Sequence, residues 1–135
     1  MSTIQFVYLY LLTIPVFFII DMLWLGVFAK GFYQEKLINF LGPVNWTAAI
    51  IFYLIFIVGI MIFAVAPALD AQSFTKAISL GLLFGFFTYA TYDLTNLSTL
   101  KDWPMIVVVV DIIWGSFLSG SVAAISYLIG KSLFL

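Results

Sequence analysis

The sequence predicts an all-α integral membrane protein: a four-transmembrane-helix bundle with a short interfacial helix between spans 1 and 2. Composition is the first reason. Of 135 residues, 65% are hydrophobic and 8% charged, with a mean hydropathy of +1.24, whereas soluble domains carry about a quarter charged residues. Run length is the second. A helix needs roughly 20 apolar residues to cross the hydrocarbon, and four stretches qualify, at about 4–28, 46–66, 76–97 and 105–129. The third lies between them: the loops are too small for a soluble domain. Residues 1–135 therefore read as a single transmembrane domain, with any function in the membrane or at its edge.

The first span lacks the basic start and small-residue cleavage site of a signal peptide, and it is too long to be one. Four spans put both termini on one side, side A; the opposite side is side B. After span 1, Tyr33, Leu37, Phe40 and Leu41 have helical spacing, which predicts a short helix in the interface, stopped by Gly42 and Pro43. Asn45 is placed to cap span 2 and Ser73 to cap span 3, beyond a loop read as PALDAQS. Asp102 is the expected cap of span 4, with Pro104 in its first turn. Lysines divide two against three between sides A and B, which fixes no orientation.

Small residues predict how the spans pack. Ala77, Gly81 and Gly85 line one face of span 3, and Ser116, Gly120 and Ala124 line one face of span 4. Such faces let helix backbones approach closely, and packing within the bundle is the reading adopted.

The chain has no cysteine, histidine or arginine. Thiolate and imidazole chemistry, the metal sites built on those ligands and bidentate anion clamps are thereby excluded. No cofactor or metal is expected, and five lysines against six acids make no nucleic-acid surface. The chemistry available is that of carboxyls, hydroxyls, phenols, amides and indoles.

Three acids lie inside spans: Asp21, Asp93 and Asp111. Each costs roughly 2.5–3.5 kcal/mol at mid-membrane, and no lysine lies inside a span to neutralise it. Counted from the helix ends, all three fall in the side-B half, with Asp21 and Asp111 at one depth about 10 Å in, at 1.5 Å per residue. A polar cavity open towards side B accommodates them, since carboxyls facing lipid would cost more. In TYATYDLTN, Tyr89, Asp93 and Asn96 share one helical face, with Tyr92 beside Asn96, and would form the polar wall.

The acids recur in a pattern. IIDMLWLG (Ile19 to Gly26) and VVDIIWGS (Val109 to Ser116) each carry a tryptophan three residues after an aspartate. Trp24 and Trp114 are therefore expected to wall the pocket, each donating to the acid on its own helix. Because the helices run oppositely, one would lie above the pair of acids and the other below. Trp46 and Trp103, at span starts on side B, read as interfacial belt residues.

DxxWLG in span 1, YDLTNLSTLKDWP between spans 3 and 4, and VDxxWG in span 4 resemble a family of small bacterial membrane proteins of unknown function. The likeness covers essentially the whole chain. It implies four transmembrane helices and a multi-pass place in the bacterial inner membrane, and brings no activity with it.

Three functions fit these residues. One is binding or transport of a small ligand or cation, coupled to a proton on the acids. Another is an intramembrane enzyme acting on a lipid or other apolar substrate by aspartate acid/base chemistry. The third is a structural subunit whose polar network fixes helix register. One-sided acids without bases favour the first. Membrane lipids are its surroundings, and a homodimer or a larger membrane complex would supply the bulk that four helices lack.

Overall fold

A computed structural model describes residues 1–135, and the chain is all-helical. Four helices are long and apolar enough to cross a membrane: α1 (Thr3–Phe28), α3 (Trp46–Asp70), α4 (Phe74–Thr99) and α5 (Met105–Phe134). Between the first two lies α2 (Lys30–Lys36), a helix of two turns. The protein is a multi-pass membrane protein. Met1 and Asp70 meet at 3.7 Å on side A, as an even number of crossings requires.

Caps set most of the boundaries. The Asn45 carboxamide accepts from the amide of Ala48 at 3.1 Å, and the Ser73 hydroxyl accepts from that of Lys76 at 3.1 Å. Three expectations need correcting. The interfacial helix ends at Lys36, not at Gly42 and Pro43: Leu37 to Phe40 form turns, and Leu41 lies outside any helix. Span 3's predecessor does not stop at Pro67, because α3 continues to Asp70. A π-helical turn at Met61–Val65 precedes the proline and absorbs the amide it cannot offer. Asp102 does not cap α5 either. It takes a left-handed conformation (φ 62°) in the turn, and Pro104 is the residue preceding the first helical one.

α4 and α5 form the tightest pair in the bundle. A Cβ on Gly81 would stand 2.7 Å from the Ser119 carbonyl oxygen and 2.9 Å from the Cα of Gly120. One on Gly85 would fall on the Gly115 carbonyl. The glycine face of α4 is thus consumed inside the chain, and any homodimer would have to use another face.

α1 packs antiparallel against α5 in a register visible at three levels. Leu9 lies beside Gly130, the hydroxyls of Thr13 and Ser126 are 2.7 Å apart, and Trp24 stacks on Trp114. The core fills the side-A half, around Leu9, Ile57, Met61, Val65, Leu118 and Tyr127. Thr13 and Ser126 are buried there too, a hydroxyl pair among apolar side chains.

In the side-B half the bundle is looser. The turn at Met61–Val65 packs on α4, whereas α3 before Phe56 diverges from it. That divergence makes room for the site.

Candidate functional site

A cavity of about 530 Å³ occupies the side-B half, lined by residues of all five helices. From α1 come Asp21 and Leu25, from α2 Tyr33 and from just past its end Leu37, from α3 Phe52, Tyr53 and Phe56. α4 adds Thr88, Tyr89 and Tyr92, and α5 adds Asp111 and Trp114. Nine of the twelve are hydrophobic, so the space is an apolar pocket with a few polar groups aimed into it.

Asp21 and Asp111 are 2% and 8% exposed. The Trp114 indole N–H donates to Oδ1 of Asp21 at 3.3 Å. The Tyr33 hydroxyl donates to Oδ1 of Asp111 and accepts from the Trp24 indole N–H at 3.1 Å. The phenol of Tyr53 lies beside Asp21. Each acid therefore has one oxygen tied to a ring donor, and both residues line the cavity. Tyr33 lies outside the spans; burial first, and Asp111 second, push its phenol above its ordinary range, which keeps it a donor.

The tryptophans are not arranged as their spacing suggested. Trp24 and Trp114 stack face to face, with centroids 4.6 Å apart and planes inclined by 10°. Each serves the acid of the other helix: Trp114 directly to Asp21, Trp24 through Tyr33 to Asp111. The indoles share a level and the acids do not. With Trp24 level with Trp114, Asp21 lies three residues towards side A and Asp111 three towards side B. That separates the acids by about 9 Å along the membrane normal, at 1.5 Å per residue. The equal-depth expectation failed because α5 starts well above the end of α1, so counting from helix ends misaligned them.

Asp93 is fully buried, yet it is not among the cavity-lining residues. It lies behind the wall, beside Asp111 and Trp103. Neither of its carboxyl oxygens, nor the indole nitrogen of Trp103, has a hydrogen-bond partner. Asn96 is half-buried one turn beyond it and does not reach the cavity either. The Tyr89–Asp93–Asn96 face thus splits: Tyr89 and Tyr92 line the cavity, and Asp93 lies behind them beside Asp111. Trp103 is no belt residue. It is 7% exposed, packed edge-on against Phe40 at 5.2 Å and Tyr92 at 6.0 Å. Trp46, 60% exposed, keeps an interfacial position.

Sequence reasoning missed Tyr33 and Tyr53 as site residues. Tyr33 carried a usable signal, since its four-residue spacing to Leu37 marked the face that α2 turns inward. Tyr53 carried none, because apolar residues surround α3 on every side.

The chain belongs to the family described as "Predicted membrane protein (DUF2177)", whose pattern matches residues 6–128. No curated protein and no solved structure matches it.

Proposed function

We propose that this member of that membrane protein family binds a small, largely apolar ligand in the side-B cavity, and that Asp21 and Asp111 hold the ligand's polar atoms and exchange a proton with its binding. One observation carries this reading: two nearly buried carboxyls, each with one oxygen tied to a ring donor, line an aromatic cavity of about 530 Å³. Ligand sites are commonly pockets of roughly 300–1,000 Å³ with few, well-placed polar groups. No base in the spans neutralises the acids, so ionisation without a bound cation or donor is costly there. The setting that goes with this reading is the bacterial inner membrane. A small cation is a second occupant the acids could take, although the mostly aromatic lining favours an apolar one.

The test is to purify the protein in its native lipid and identify small molecules retained by the wild type and by Asp111→Asn. A species enriched on the wild type and lost from the variant is expected. An identical, empty profile for both would overturn the proposal.

A catalytic reading has its own supporting observation: the Tyr33–Asp111 pair and Asp21 face one cavity from opposite ends, the placement an acid and a base acting on one substrate would need. It expects lipid extracts to change on overexpression of the wild type and not of Asp21→Asn.

A further inference from the structure

The cavity has a roof and a floor but an incomplete side wall. α2 covers side B, with Tyr33 and Leu37 turned inward and Leu37 packed on Trp103, Val107 and Val108. Phe56 closes the bottom, with ring centroids 5.2 Å from Phe84 and 6.2 Å from Tyr89. Above that contact α3 and α4 part. Phe52 and Tyr92, one on each flank, line the cavity and are 52% and 55% exposed. Phe52 is six residues inside α3 from Trp46, about 9 Å at 1.5 Å per residue. A gap at that depth faces acyl chains rather than water.

The polar groups restrict what can enter. Asp111 and Tyr33 sit under the roof, while Asp21 and Trp114 sit about 9 Å deeper by the same helical rise. No lysine or arginine lines the space, so nothing there would hold a phosphate, and two acids would repel one. A hydroxyl or carbonyl, by contrast, suits a carboxyl paired with a phenol.

We propose that the ligand of this cavity is an uncharged single-chain lipid that enters sideways from the side-B leaflet between α3 and α4, places a hydroxyl or carbonyl on Asp111 and Tyr33, and lays its chain down past Asp21. The proposal rests on the ligand-binding reading above and adds the source and chemical class of the ligand. Asp21 then meets the chain rather than the head, which makes the deeper carboxyl the group that selects for a polar or unsaturated position along it.

The experiment uses the full protein in phosphatidylcholine vesicles and two photoactivatable probes, a mid-chain diazirine analogue of oleyl alcohol and a short water-soluble diazirine alcohol. After irradiation, labelled peptides are mapped by mass spectrometry. Expected is labelling of Asp21, Tyr53 or Tyr89 by the long-chain probe, lost on adding unlabelled oleyl alcohol and retained on adding a lysophosphatidic acid of the same chain. Thr88→Trp, which fills the cavity, is expected to abolish it; the competition arm needs no variant. Interior labelling by the water-soluble probe alone would overturn the lipid source and leave the binding cavity standing. If neither probe reaches the interior, or only outward residues such as Ile51 and Ile55 are labelled, both readings fall.

Discussion

Gly85→Ala and Gly115→Ala look alike in sequence, and the structure separates them. At Gly85 an added Cβ would fall on the Gly115 carbonyl and lie 2.9 Å from the Cα of Ser116, so it meets backbone that cannot rotate away. Overpacking costs about 1–3 kcal/mol, and rigid neighbours place this site at the upper end. Alanine returns about 1 kcal/mol through helix propensity, leaving a net destabilisation of about 2 kcal/mol. At Gly115 the Cβ would meet the base of the Tyr89 ring. The contact is with a side chain and not with backbone, but at the base of the ring, which turning the ring does not relieve, so the whole Tyr89 side chain must shift at a cost of about 1–3 kcal/mol against a propensity gain of about 1 kcal/mol. Gly115→Ala should therefore destabilise as well, but through the Tyr89 side chain alone. Unfolding in mixed detergent micelles, followed by tryptophan fluorescence, measures both variants. In a Tyr89→Ala background the added cost of Gly115→Ala should largely vanish, while that of Gly85→Ala should persist. The reasoning is refuted if Gly85→Ala is as stable as the wild type, or if Tyr89→Ala rescues it.

Three further outcomes follow from the site. Trp114→Phe removes the donor to Asp21 and should destabilise by about 1–3 kcal/mol, the cost of orphaning a buried acceptor; an unchanged unfolding midpoint would show that Asp21 does not depend on that bond. Tyr33 holds its proton more tightly folded than unfolded, from burial first and Asp111 second. The folded protein is therefore fully stabilised below a phenol's ordinary value of about 10 and loses stability as pH rises past it. Melting temperatures across that alkaline range should fall less steeply for Tyr33→Phe than for the wild type, and equal slopes would contradict the assignment. Asp93→Asn replaces a buried carboxyl that has no hydrogen-bond partner with a neutral group of the same shape, so stability should hold or rise. A loss above about 2 kcal/mol would mean that the carboxyl is paired after all.

The spans were legible because a membrane crossing demands a long apolar run whatever its neighbours do, and the caps Asn45 and Ser73 because they act within one turn. Pro67 was misread for the same local reason. A proline often ends a helix, but α3 passes Pro67 after a π-helical turn that residue types do not reveal, as α1 carries Pro15 within it. In the candidate site, periodicity grouped Tyr89, Asp93 and Asn96 on one face. A helical face is broad, however, and the close approach of α5 at Gly85 decides which part of it is sealed. Asp93 fell on the sealed part and Tyr89 on the open one.

The paired Asp-x-x-Trp stretches show where such reading must stop. Spacing along one helix says that Trp24 lies near Asp21 and Trp114 near Asp111, and both statements are true of the backbone. Partners, however, are chosen across the α1–α5 contact, whose register is set far below by Leu9 against Gly130 and Thr13 against Ser126. That register brings the two indoles level, and once they stack each N–H points past its own acid towards the other helix's half of the site. A change at Thr13 or Ser126 should therefore be felt at the acids. Shifting α1 by one turn would move it about 5.4 Å, enough to separate the indoles, free Asp21 from Trp114 and take the Trp24 donor away from Tyr33, while Asp111 keeps Tyr33. The stack is thus where the register set in the side-A half meets the polar groups of the side-B cavity.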